Sequence, residues 1–202
     1  MKKLLLGTAL LGLLGSAPAA LALDQGEPRF YVGLEAGHLN TNLKISEDGK
    51  VDGQSISGYT GGIFGGYTVD IGQKGFGGVE LNLGFGGPDF IYTDVDNGHT
   101  DRYEIKQRES YAARFLGGVK SSETTRLYGL LGFKKARYEV NDSDEAVREK
   151  FRVNGANLGV GAMVDIADQV AVRLEWTQTF YSKKYSAKLT ENLVQVGLLR
   201  TF

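Results

Sequence analysis

Cysteine is absent from the 202 residues, histidine occurs only twice, and formal charge is nearly balanced at −1. Without thiols there is no disulfide framework and no Cys-ligated zinc, and the chain can pass through an oxidising compartment without mispairing. The charge balance gives no electrostatic footprint for a nucleic-acid partner. Long apolar runs are missing too. One stretch, 4–14, is continuously apolar, and nothing comparable follows residue 22. A chain of this kind is soluble, or it crosses a membrane as strands. Glycine, by contrast, reaches 29, with 10 Phe and 10 Tyr. The length suits one folded domain.

The first 22 residues have the parts of a secretory signal peptide. Lys2 and Lys3 form a charged start, 4–14 the apolar segment, and Ala20-Leu21-Ala22 a small-x-small cleavage motif after Pro18. The apolar segment is short for a spanning helix, which needs about 20 residues. Cleavage after Ala22 is expected, leaving 23–202 as the folded domain.

Alternation of apolar and other residues marks eight strands. On 29–39, Phe30, Val32, Leu34 and Ala36 share one face, while Tyr31, Gly33, Glu35 and Gly37 share the other. The stretch 58–69 is rich in glycine and aromatics, and its facing is ambiguous. The clearest pattern is Val79, Leu81, Leu83 and Phe85 against Glu80, Asn82 and Gly84, ended by Gly86-Gly87-Pro88. Further strands fall at 111–120, 126–140 (facing uncertain near Lys134 and Lys135), 157–166, 170–177 and 193–202. In the last, Val194, Val196, Leu198, Arg200 and Phe202 share a face opposite Gln195, Gly197, Leu199 and Thr201. A period of two sustained over such runs means strand rather than helix.

The connections alternate strictly in length. Long polar segments at 40–57, 86–108, 141–150 and 181–190 are separated by short turns at 70–74, 121–125 and 167–168. Membrane barrels have this pattern, with short periplasmic turns, longer external loops and an even strand number. Closure pairs the last strand with the first and removes both edges. The expected fold is therefore all-β, an eight-stranded antiparallel up-and-down transmembrane β-barrel.

The ending, with Val194, Val196, Leu198 and Phe202 at alternate positions, resembles the C-terminal signature of bacterial outer-membrane barrels. Arg200 departs from it, standing where that family usually has Tyr or an apolar residue. The resemblance implies an assembly signal read by the barrel-assembly machinery. The runs Arg-Leu-Tyr-Gly-Leu-Leu-Gly at 126–132 and Val-Arg-Leu-Glu-Trp at 172–176 are similar to those of the eight-stranded OmpA/OmpX-type family, the outer-membrane β-barrel domain. Membership implies the outer membrane of a Gram-negative bacterium, contact with its lipid and lipopolysaccharide, and a monomer.

If the apolar faces meet lipid, Glu35, Glu80, Arg114, Arg173 and Glu175 point inward, with Lys134 able to bring acids and bases level. An eight-stranded barrel is only just wide enough to be filled by side chains, and charges confined there cost several kcal/mol each unless paired. A paired network plugging the lumen is expected, with Gly33, Gly84, Gly118, Gly159, Gly161 and Gly197 making room. The network reads either as a static polar core or as a gate that re-pairs to open a small, porin-like pore. Tyr31, Phe30, Tyr67, Phe76, Tyr111, Tyr128, Trp176, Phe180 and Phe202 are candidates for aromatic girdles at headgroup level.

Other chemistry finds little support. Asp94, Asp96 and Asp101 beside Gly98 do not match a Ca²⁺ loop, because the glycine falls at the wrong place and a closing Glu is lacking. No metal site and no cofactor are expected. Lys183, Lys184 and Lys188 are free to meet lipopolysaccharide non-specifically. His38 and His99 have no nucleophile and orienting group at the spacing that nucleophilic catalysis needs, so an enzyme is not expected. A structural or surface-interaction role stands first. The alternatives are the pore and an adhesin that meets a host or surface ligand through 90–105, where Phe90, Tyr92 and Tyr103 lie among charges.

Overall fold

A computed structural model describes residues 28–47, 50–96, 99–142, 148–182 and 187–202. The segment expected to be a signal peptide lies outside them. The described chain is all strand: β1 (Arg29–Glu47), β2 (Lys50–Ile71), β3 (Gly75–Gly87), β4 (Asp89–Asp96), β5 (His99–Lys120), β6 (Thr125–Asp142), β7 (Arg148–Ala167), β8 (Val170–Tyr181) and β9 (Ala187–Thr201). Every neighbouring pair is antiparallel, and the sheet closes on itself where β9 pairs with β1. Val32 faces Arg200, Leu34 faces Leu198, and the Phe202 amide donates to the Phe30 carbonyl at 2.9 Å. No edge is left along this seam, which a sheet in hydrocarbon requires.

Nine strands make an eight-stave barrel, because β3 and β4 are one course bent in the middle. Both pair with β5. The bend is at Gly86 (φ +83°) and Gly87 (φ +152°) followed by Pro88. These positive φ angles suit glycine, and proline has no amide to give the ladder. The expectation that the strand ends at 86–88 is thus corrected to a kink.

Three of the four long segments expected as loops are corrected as well. In the fourth, 181–190, the β8–β9 pairing stops at Phe180↔Thr190, and among the described residues only Tyr181 and 187–190 belong to strands. β1 and β2 stay paired from Arg29↔Thr68 up to Glu47↔Lys50, and β4 and β5 up to Asp96↔His99. The same holds for β6–β7, from Thr125↔Val164 to Asn141↔Arg148. These segments lack apolar alternation, yet the backbone ladder continues through them. The connections at the other end of the barrel are short turns, as at Ser121–Thr125, where the Ser121 amide donates to the Thr125 carbonyl at 2.9 Å.

Facing follows the period of two through the whole belt. Val32, Leu34, Leu81, Phe115, Leu131 and Val196 are exposed on the outside, and the residues between them are buried inside. The two ambiguous strands resolve cleanly. On β2, Tyr59 and Ile63 face out while Phe64 and Thr68 face in. On β6, Leu127, Leu131 and Phe133 face out, and Arg126, Tyr128, Leu130 and Lys134 face in. Of the girdle candidates, Tyr31, Phe76 and Tyr128 are instead interior, for their parity is that of the inward set. They join Phe64, Leu116, Leu130, Met163 and Leu199 in an apolar cluster that fills the short-turn end of the lumen. A second cluster, Ala136, Tyr138, Val153 and Tyr181, fills the long-hairpin end, where the Tyr138 and Phe151 rings stack at 5.3 Å.

Leu131, 63% exposed in mid-belt, gives the test of this facing. Leu131→Arg should lower the unfolding free energy in lipid vesicles by about 2–4 kcal/mol, the cost of a cation at the bilayer midplane. A change within about 0.5 kcal/mol, as for a water-facing surface residue, would show that Leu131 does not meet hydrocarbon.

Candidate functional site

Between the two apolar clusters lies a charged layer contributed by four strands. Each member occupies an inward position: Glu35 on β1, Glu80 on β3, Arg114 on β5, and Arg173 and Glu175 on β8. Glu80 stands directly opposite Arg114 in the ladder, and Arg173 opposite Gly197. Arg173 donates to Glu35, and through Nη1 to Glu80 Oε2 at 2.6 Å. Arg114 Nη1 donates to Glu175 Oε1 at 2.8 Å and lies 3.5 Å from Glu80 Oε1. The Arg173 side chain is 0% exposed, and its guanidinium carbon sits 3.5 Å from the centroid of the Phe64 ring. That stacking adds a cation–π attraction to the ion pairs.

Glycine clears the space these groups need. A Cβ on Gly197 would lie 3.0 Å from Arg173 Cγ and 3.2 Å from the Phe64 ring. One on Gly161 would lie 2.5 Å from the Tyr128 hydroxyl.

Lys134 is buried on the same side of the wall but does not level the charge of this layer. It pairs with Glu191, which also accepts from the Tyr181 hydroxyl at 2.8 Å. The expected levelling is corrected accordingly: the central layer keeps three carboxylates against two guanidiniums. Neutral donors offset the surplus. Tyr31 donates to Glu80 at 2.9 Å and Tyr128 to Glu175 at 3.0 Å. Gln195 Nε2 reaches Glu35 at 3.0 Å and Glu175 at 2.7 Å, and Asn82 donates to Glu35. Hydrogen bonds to charged groups are the stronger kind, and here they stand where water would otherwise be needed.

Sequence reasoning missed Tyr31, Asn82, Tyr128, Glu191 and Gln195 as partners. For Tyr31, Asn82, Tyr128 and Gln195 parity carried the signal, since each stands beside an outward apolar residue. Glu191 was hidden because the last strand starts at Ala187, earlier than its apolar run suggests. Above the charged layer, the void bordered by Glu35, Asn82, Arg114, Lys134 and Gln195 measures about 10 Å³, roughly one water-sized probe sphere. It is too small for a hydrated ion.

Of the two histidines, His38 points outward, its ring edge-on to Tyr59 at 5.5 Å. The side chains of 90–105, with His99 and the aromatics of the second external hairpin, lie outside the described residues, as do those of Lys183, Lys184 and Lys188. On the C-terminal strand, Val194, Val196, Leu198 and Phe202 all face out. The Arg200 guanidinium reaches toward the Phe202 ring at 5.5 Å.

Comparison with known proteins follows this geometry. A sequence model described as "Outer membrane protein beta-barrel domain" matches residues 6–202. The 22 kDa outer membrane protein of Rhizobium leguminosarum bv. viciae is 29% identical over 150 residues, 70% of this chain and 65% of that relative. The chain thus spans somewhat less than two thirds of that relative's length. Among solved structures, Neisserial surface protein A is 14% identical, with 86% of this chain and 97% of that one covered and a TM-score of 0.56. Ail of Yersinia pestis is also 14% identical, covering 84% and 97%, with a TM-score of 0.46. The likeness to the Neisserial protein is one of fold.

Removing a neutral donor tests its role. Tyr31→Phe keeps the ring but leaves Glu80 one partner short, and should cost about 1.5–3 kcal/mol in urea unfolding from micelles, the range for a hydrogen bond to a charged group. Tyr111→Phe, on the outer face, should change stability by less than about 0.5 kcal/mol.

Proposed function

Because the chain belongs to the outer membrane protein beta-barrel domain family, we propose that it is an integral barrel of the Gram-negative outer membrane with a structural and surface-presenting role. In this reading the lumen is a permanent plug. The supporting observation is Arg173, fully enclosed, bonded to two carboxylates and stacked on Phe64. Opening a pore would separate that guanidinium from its partners, and breaking a buried pair in this way costs about 3–5 kcal/mol. The apolar clusters on either side would have to part as well.

The same reading has residues 1–22 removed on export and the outward C-terminal residues Val194, Val196, Leu198 and Phe202 read by the assembly machinery. Four hairpins then stand beyond the apolar belt. Three of their ladders run well past it, β1–β2 up to Glu47↔Lys50, β4–β5 up to Asp96↔His99 and β6–β7 up to Asn141↔Arg148. That rigidity suits display of a surface, and recognition on rigid scaffolds is commonly carried by such connections. The adhesin reading rests on this projection alone and stands second.

Planar-bilayer recordings separate plug from gate. The full chain should give no discrete conductance steps at any applied voltage. Reproducible steps, abolished when Glu80 or Arg173 is changed, would overturn the plug and make the network a gate.

A further inference from the structure

Just beyond the apolar belt, one sector of the barrel's outer wall carries a recess of about 270 Å³ between β5, β6 and β7. Its walls are Glu109, Tyr111, Lys135, Arg137 and Arg152. The register stacks them in two rows, Tyr111–Lys135–Asn154 and Glu109–Arg137–Arg152. Immediately toward the membrane is the row Ala113–Phe133–Ala156, with Phe133 72% exposed and a small alanine on each side. The recess therefore sits where the outer face turns from hydrocarbon to headgroup, with Tyr111 at the boundary as amphipathic rings prefer.

The charges in this recess do not neutralise one another. Arg137 and Arg152 are direct cross-strand partners, and like charges so placed repel. Glu109 is the one acid in the recess and bonds Arg137 Nη1 at 2.7 Å. Arg137 Nε is buried with no hydrogen-bond partner among the described residues. Neither Lys135 nor Arg152 has an ion pair among the described residues.

Elsewhere the same transition is made differently. On β9, β1 and β2 the outward residues beyond the apolar belt are Asn192, Asn40 and Ser57. These are neutral and bonded within the wall, Asn192 to Gln178 at 2.9 Å and Asn40 to Ser57 at 3.0 Å. At this transition, among the described residues, Lys135, Arg137 and Arg152 gather in one sector, beside the exposed Phe133.

We infer that Lys135, Arg137 and Arg152 form a binding site for the phosphate groups of a lipopolysaccharide headgroup, whose acyl chains lie along Phe133 in the grooves over Ala113 and Ala156. This rests on the reading that the hairpin end of the barrel stands in the outer leaflet. Planar guanidiniums match phosphate oxygens in pairs, and the lysine adds a point charge. An anion between Arg137 and Arg152 turns their repulsion into a shared contact. Glu109 holds Arg137 in place and sets a limit on how many phosphates can enter.

The test uses the full chain in micelles, with binding of purified lipopolysaccharide followed by native mass spectrometry in the presence of EDTA. Lys135→Gln, Arg137→Gln and Arg152→Gln combined should weaken binding roughly ten-fold or more, the loss expected for several charge-assisted contacts. Enzymatically dephosphorylated lipopolysaccharide should bind the unmutated chain no better than intact lipopolysaccharide binds the variant. Lys74→Gln, at the periplasmic end, should leave binding unchanged. Equal affinity of variant and unmutated chain, or of phosphorylated and dephosphorylated lipid, would overturn the site. Inorganic phosphate competing as well as the lipid would make it a free-anion site and overturn the lipid assignment. Protease protection of the belt strands in vesicles reports membrane placement separately. A protected barrel with phosphate-independent binding refutes this site alone.

Discussion

Arg173 is the interaction on which the interior depends. Arginine carries its charge throughout the working pH range, so a guanidinium enclosed by sheet on all sides needs negative charge from its neighbours. Glu35, Glu80 and Glu175 do so from three strands. That requirement fixes more than the pair distances. It demands that β1, β3 and β8 present the same parity to the lumen at the same depth, which only a closed barrel of the observed register provides. It also demands the missing side chain at Gly197 and the flat face of Phe64. The surplus carboxylate then recruits Tyr31, Tyr128 and Gln195, so one buried cation organises a layer of polar groups across the lumen.

The wall divides into three zones with different rules. In the belt, the outside obeys hydrocarbon and the inside obeys mutual satisfaction of polar groups. At the two ends of the lumen, apolar clusters take over and shield the charged layer. Beyond the belt the outward apolar alternation stops, and the hairpins keep their backbone ladders. The recess over Phe133 lies at the border of belt and hairpin, where a surface can touch acyl chains and headgroups together.

Much of this was legible in the residues. Strict alternation at 79–85 and 170–177 fixed which side chains face lipid, and Glu80, Arg173 and Glu175 followed as interior by elimination. The rhythm of long and short connections pointed to the closed up-and-down barrel that the strand order shows. What was illegible had physical causes. Hairpin extensions carry no apolar alternation and so no periodic signal, although Asp48-Gly49 and Asn97-Gly98 are the turn dipeptides that tight hairpins favour. Tyr31, Phe76 and Tyr128 are aromatics near strand ends, as a girdle has, and only parity separates that role from a lumen one. Glu191 paired with Lys134 because β9 begins before its apolar residues do. The bend at Gly86–Pro88 reads as a stop in sequence, since nothing local says that the ladder resumes.

The most direct measurement of the central claim is a double-mutant cycle between Arg173→Gln and Glu80→Gln, read as unfolding free energy in micelles. If the buried guanidinium holds the carboxylates in place, the two changes should be coupled by about 1–3 kcal/mol, with the pair of substitutions less damaging than their sum. Effects that add to within about 0.5 kcal/mol would mean that Arg173 and Glu80 act independently, and the charged layer would lose its place at the centre of the fold.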